Sequence, residues 1–137
     1  MEGKTVKILL VEDNPGDARL VMESLKDTDV CRFELTHVEK FSEAVDTLKK
    51  EEYQLILLDL TLPDSNGVET FEKMHREFPK IPIVVLTGYE DETVAFDALQ
   101  EGIEIYLIKG KVDGELLTQA LDYAIKKNQV LSDLEQD

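Results

Sequence analysis

Four short apolar runs, Ile8–Val11, Leu55–Leu58, Ile83–Leu86 and Ile105–Ile108, punctuate the chain, and the segments between them carry apolar residues at helical spacing. Parallel strands need crossovers long enough to hold a helix, so strand and helix in alternation imply an α/β fold with a parallel sheet. Runs without polar alternation are strands covered on both faces. A weaker run over 32–38 alternates Phe33, Leu35 and His37 with polar residues, which predicts a half-exposed edge strand. With right-handed crossovers, that edge places the five strands in the order 2-1-3-4-5. The expected architecture is a three-layer, doubly wound sandwich of the flavodoxin-like kind.

The helices follow from apolar spacing and punctuation. The first spans about Gly16–Lys26, with Pro15 in its first turn and Ala18, Val21, Met22 and Leu25 on one side. Ser42 is the expected cap of a second helix reaching Lys50, with Ala44, Val45 and Leu48 turned inward. A loop with Pro63 and Gly67 precedes a third helix through Phe71 and Met74 that ends before Pro79. A fourth spans 91–100, carries Val94, Ala95, Ala98 and Leu99, and stops at Gly102. The fifth begins near Asp113 and lays Leu116, Leu117, Ala120, Leu121, Ala124 and Ile125 on the sheet. Val130, Leu131 and Leu134 continue the spacing into an exposed tail, read as a frayed helix end in preference to a short coiled-coil or partner contact. The 137 residues fit one domain, with a core over about 6–127 and a C-terminal helix extension over about 128–137.

Thirty acids against fifteen bases, a formal charge of −15, exclude nucleic acid and acidic membrane surfaces as partners, since both are bound through Lys and Arg. No segment approaches the ~20 apolar residues of a membrane span, and Met1–Thr5 lacks a signal-peptide core. Cys31 is the only cysteine, so no internal disulfide forms. It is read as a packing residue. A cytoplasmic location is expected.

Each strong run stops at a residue able to hold or handle a phosphoryl group: the first at Glu12-Asp13, the next at Asp59, then Thr87, then Lys109. The carboxyl ends of parallel strands share one rim, where ligands bind. Neighbouring first and third strands bring Glu12, Asp13 and Asp59 together, and two carboxylates 4 Å apart repel by about 4 kcal/mol at an effective dielectric near 20. A hard cation removes that conflict. Oxygen ligands without a Cys and His cluster favour Mg2+, which takes one or two carboxylates and keeps water or phosphate oxygens. Asp59, alone at its strand end, is the candidate nucleophile for an acyl phosphate. Thr87 and Lys109 supply the hydroxyl and ammonium that charge on a phosphoryl group requires. Singly, each of these residues is as well explained as a cap or a solvated strand end. His37 and His75 are expected at the surface.

With Val11-Glu12-Asp13-Asn14, Asp59-Leu60-Thr61-Leu62-Pro63 with Gly67, Thr87-Gly88 and Tyr106 three residues before Lys109, the chain resembles a response-regulator receiver domain, of the chemotaxis-regulator kind, from Val6 to about Lys127. The resemblance implies that Asp59 accepts phosphate from a phosphohistidine of a sensor histidine kinase or phosphotransfer protein. It also implies that Glu12, Asp13 and Asp59 hold magnesium with the Thr61 backbone carbonyl, that Thr87 and Lys109 bind the phosphoryl oxygens, and that Thr87 and Tyr106 form a switch. The face built from the fourth helix, fifth strand and fifth helix would engage a downstream protein target, with a homodimer allowed. Such a module is a signalling phosphoacceptor that catalyses only its own phosphorylation and dephosphorylation. Tyr89 and Thr61 fall where the family tunes dephosphorylation.

Two positions depart from the family pattern. Gly110 stands where proline usually follows the lysine, often with a cis peptide; a non-proline cis bond costs about 2.5–4 kcal/mol, so a trans Lys109–Gly110 bond or a more mobile loop is expected. Glu12 replaces a second aspartate, and its extra methylene lengthens the reach to metal. The competing readings are a receiver-like adaptor that binds partners without phosphate, and a phosphatase with an aspartyl nucleophile. The second lacks an acid two residues after Asp59, where Thr61 stands, and no glycine-rich loop follows the first strand to bind a dinucleotide.

Overall fold

The computed structural model describes residues 5–26, 32–88 and 97–135. In chain order these form β1 (Thr5–Val11), α1 (Pro15–Lys26), β2 (Arg32–Val38), α2 (Phe41–Lys50), β3 (Leu55–Leu58), β4 (Thr61–Leu62), β5 (Ser65–Asn66), α3 (Val68–Glu77), β6 (Ile83–Thr87), the helical residues 97–100 (α4), β7 (Tyr106–Ile108) and α5 (Gly114–Glu135). Five strands form a parallel sheet in the order β2-β1-β3-β6-β7, which in sheet numbering is the expected 2-1-3-4-5. The register pairs Leu10 with both His37 and Leu57, and Leu58 with both Val11 and Val85, so the carboxyl ends of β1 and β3 lie level and β6 runs two residues further, to Thr87.

Because successive strand residues face opposite sides, each central strand feeds two cores. Leu9, Val11, Ile56, Leu58 and Val85 pack with Ala44 and Leu48 of α2, Phe71 and Met74 of α3 and Ala98 of α4. Ile8, Leu10, Leu55, Leu57 and Val84 pack on the other face with Ala18, Val21 and Leu25 of α1 and Leu117, Leu121 and Ala124 of α5. Leu55 to Leu58 are fully buried. Burying one such side chain contributes about 1.5–3 kcal/mol, so the strand that ends at Asp59 is among the most firmly fixed parts of the molecule.

Several local expectations need correction. Ser42 is not the cap of α2: the helix begins at Phe41, and the Phe41 and Ser42 N–H groups donate to Asp64 Oδ1 and Oδ2 at 2.8 and 3.0 Å, while Glu43 Oε1 accepts from the Lys40 N–H. A carboxylate from the β4–β5 turn thus caps a neighbouring helix, a long-range pairing that local pattern does not reveal. The segment after Asp59 is not only a loop, since β4 and β5 form a two-residue antiparallel ladder. Leu116 does not lie on the sheet and Leu99 stands out from α4; they are 45% and 58% exposed. The tail residues Val130, Leu131 and Leu134 are not frayed but helical, in α5, and exposed. Gly102 does stop α4, with φ +100 and the Ile103 N–H donating to the Ala98 carbonyl at 3.0 Å. Cys31, Tyr89, Val94 and Ala95 lie outside the described residues. No helix among the described residues is long and apolar enough to cross a membrane.

Candidate functional site

Glu12 follows β1, Asp59 follows β3, Thr87 ends β6 and Lys109 follows β7, so four strand ends deliver four chemically different groups to one rim. Their positions are fixed by backbone: the Asp59 N–H donates to the Val11 carbonyl at 3.0 Å, the Glu12 N–H to the Val38 carbonyl at 3.0 Å and the Lys109 N–H to the Thr87 carbonyl at 2.9 Å. The sheet ladder therefore runs one residue past β1, β3 and β7 into the site.

Asp59 is buried, 3% exposed, yet each of its oxygens is satisfied. Oδ1 accepts from Thr87 Oγ1 at 2.9 Å and from the Thr61 N–H at 3.1 Å, and Oδ2 accepts from Lys109 Nζ at 2.8 Å. Lys109 Nζ also lies 2.6 Å from Glu12 Oε1 and 2.9 Å from Asp17 Oδ2. An ammonium has three donors, and three carboxylates take them. Burial alone would push the Lys109 ammonium toward neutrality, but hydrogen bonds to Asp59, Glu12 and Asp17 outweigh it and hold its pKa above the usual lysine range.

Glu12 is 1% exposed. Burial, reinforced by the Asp59 charge, pushes its carboxyl up from 4.5 to about 7, against the opposing pull of Lys109 and of the Asn14 N–H, which donates to Oε2 at 3.1 Å. A single lysine does not neutralise this cluster. Carboxylate oxygens of Glu12, Asp13 and Asp59 all lie within 4.8 Å of one another, an all-oxygen donor set of the kind a hard divalent cation takes.

Thr87 and Tyr106 share a sheet face. Val85 pairs with Tyr106 and Thr87 with Ile108, and Tyr106 packs, partly buried, against the core that holds Val85 and Ala98. Beyond Lys109 the chain turns at once: Gly110 has φ +85 and the Lys111 N–H donates to the Ile108 carbonyl at 3.0 Å. No cis peptide bond occurs among the described residues. Glycine fits this left-handed turn position, which proline, fixed near φ −65°, cannot occupy. The departure from the family pattern is thus a different turn.

Three contributors were not anticipated from sequence. Asp17 stands four residues after Asp13, one turn into α1, and Asn14 caps that helix by accepting from the Asp17 N–H at 3.0 Å. Only the helical spacing Asp13-to-Asp17 hinted at it. His37, expected at the surface, is half-buried, and its Nε2 donates to the Glu12 carbonyl at 2.6 Å because β2 runs alongside β1 to the rim. Asp64 anchors the segment after Asp59 to α2; slight burial opposes its ionisation, but the Ser42 and Phe41 N–H groups outweigh this and hold its carboxyl below the usual range. His75 is exposed, as expected, and stacks on Phe71.

A family model described as response regulator receiver domain matches residues 8–122. Among curated relatives, the transcriptional regulatory protein GlrR of Escherichia coli (strain K12) is 28% identical over 133 residues, 97% of this chain and 29% of the relative. The chain thus spans less than a third of that relative's length. Among solved structures it is similar to the Mn(2+)-bound form of response regulator Rcp1, at 31% identity and a TM-score of 0.70 over 83% of this chain and 88% of that one. It is also similar to the phosphorylated cyanobacterial phytochrome response regulator RcpA, at 31% identity and a TM-score of 0.69 over 84% and 88% of the two chains.

Proposed function

The chain belongs to the response regulator receiver family, the receiving module of two-component signalling, and from that premise we propose that it takes a phosphoryl group on Asp59 from a phosphohistidine and passes the change to a protein-binding face. The observation that carries this reading is the state of Asp59, a buried carboxylate gripped by a hydroxyl and an ammonium that also suit phosphoryl oxygens. In the reaction one Asp59 oxygen attacks phosphorus, the donor's bond to phosphorus breaks, and an acyl phosphate forms while the leaving group takes up a proton.

Thr87 Oγ1 and Lys109 Nζ already point at the two Asp59 oxygens, so each transfers its hydrogen bond outward, from a carboxylate oxygen to a phosphoryl oxygen two bonds beyond the esterified one. Their contribution is positioning and charge in a site shielded from water, which is where phosphoryl transfer gains most. Glu12, Asp13 and Asp59, with the Thr61 carbonyl, would hold Mg2+. Bound there, it supplies the positive charge that offsets the crowded carboxylates and the incoming phosphate. The manganese in the Rcp1 structure and the phosphorylated state of RcpA support a divalent cation and an acyl phosphate in this chain too.

When the Thr87 hydroxyl turns to the phosphoryl group, the space near Tyr106 on the same sheet face changes. Tyr106 then moves inward, and the face of α4, β7 and α5 presents a different surface to its target. The partners are a histidine kinase or phosphotransfer protein upstream and a protein downstream, with dimer formation a further arrangement the family reading allows.

Intact mass spectrometry tests the reading. Incubation with acetyl phosphate and Mg2+ should add one phosphoryl group per chain, and the same incubation with EDTA in place of Mg2+ should add none. No adduct from any small phosphodonor would leave a partner-binding module that does not use phosphate.

A further inference from the structure

We propose that Asp17 is a positioning residue for the phosphoryl-transfer chemistry, acting as the fixed anchor of Lys109. The inference rests on the reading of Asp59 as phosphoacceptor. Lys109 reaches the acids from the edge strand β7, across β6, and its own backbone turns away immediately at Gly110. Among the described residues, three acids grip the ammonium at its tip, through Glu12 Oε1, Asp59 Oδ2 and Asp17 Oδ2.

Two of those three contacts belong to groups that change during the reaction. Asp59 becomes an acyl phosphate, and Glu12 is drawn into holding the cation. Asp17 is outside the group of three acids that cluster for metal, and its chemistry stays constant. It is also well placed to be constant. It sits in the first turn of α1, whose start is capped by Asn14, two residues from the Glu12 carboxylate that the Asn14 N–H itself binds. The same short segment therefore sets Glu12, Asp13 and the Lys109 anchor relative to one another. With Asp17 holding one N–H of the ammonium, a second can pass from Asp59 Oδ2 to a phosphoryl oxygen without the side chain leaving the site.

The opposite effect is also physically available: a fourth carboxylate adds negative charge beside an incoming phosphate, and by that route its removal would speed the reaction. Rates separate the two. At saturating Mg2+, with the metal affinity of each protein measured separately, Asp17→Ala should lower the rate of phosphorylation by acetyl phosphate about tenfold, the size expected for losing one charge-assisted hydrogen bond. Asp17→Glu, which keeps the charge within reach, should recover most of it. In a Lys109→Met background Asp17→Ala should have no further effect, a result that a merely structural role for Asp17 would not produce. An equal or faster rate in Asp17→Ala, or the same loss with and without Lys109, would overturn the proposal. Failure of the parent protein to take phosphate would instead overturn the assignment of Asp59, so the two failures are distinct.

Discussion

Lys109→Met should slow phosphorylation of the protein by a small phosphodonor about 10²–10³-fold, the loss seen when one charge-stabilising donor is removed from a preorganised site. The same substitution should have a second, metal-dependent effect on stability. In the absence of metal, Lys109 is the cation that Glu12 and Asp59 share, and both side chains are almost fully buried. Removing one partner of such a group typically costs about 3–5 kcal/mol when the remaining charge has no alternative. Here Glu12 has one, because its carboxyl already titrates near 7 and can take up a proton. The variant should therefore melt well below the parent in EDTA at pH 8, with the gap narrowing at pH 5. Adding Mg2+ should restore much of the stability, because the carboxylates regain a cation, and none of the rate. Thermal melts and timed intact-mass measurements on the same samples check both. A variant phosphorylated at the parent's rate would remove Lys109 from the chemistry.

Glu12→Gln should reverse its effect on stability with metal. The folded protein holds the Glu12 proton up to about pH 7, whereas a free glutamate side chain releases it near 4.5. The folded state binds the extra proton between these values. The group's stabilising contribution is therefore full below about 4.5, declines as pH rises, and has become a burden above about 7. Glutamine removes the buried charge and leaves an amide oxygen for the Asn14 N–H, so in EDTA at pH 8 the variant should melt above the parent, and at pH 4.5 that advantage should vanish. With Mg2+ at a hundredfold excess over its dissociation constant, the parent gains about 2.7 kcal/mol by linkage. The variant, short of one anionic ligand, gains less, and the order of melting inverts. Melts at two pH values with and without Mg2+ give the four numbers. The same order in all four conditions would show that Glu12 neither carries the burial penalty nor serves the metal.

The strand order and the rim were legible because the relevant signals are local or periodic. Apolar runs fix Leu55–Leu58 as a buried strand, and the polar alternation of Phe33, Leu35 and His37 fixes the sheet edge. Asp59, Thr87 and Lys109 were legible as site candidates for the same reason, since a strand end in a parallel sheet has a known destination.

What escaped were side chains whose partners lie far along the chain. Asp64 caps α2 across 22 and 23 residues, and Asp17 meets Lys109 across 92. His37 alternates as an edge residue should, and nothing in that pattern says that its ring reaches the Glu12 carbonyl. Leu116 fits the apolar stripe by number, but the packed face of α5 is centred on Leu117, Leu121 and Ala124, and the stripe drawn from sequence was too wide. At Gly110 the sequence shows only that a proline is missing. The positive φ there shows a turn with a requirement of its own.

Hydride trapping reports whether the phosphoryl group resides on Asp59. After incubation with acetyl phosphate and Mg2+, borohydride reduces an acyl phosphate at aspartate to the homoserine alcohol, and tandem mass spectrometry of the digested protein locates the changed residue. Homoserine is expected at position 59 and nowhere else, with no trapped product from Asp59→Asn; a trapped residue at any other position, or phosphorylation that survives Asp59→Asn, would rule out Asp59 as the sole acceptor.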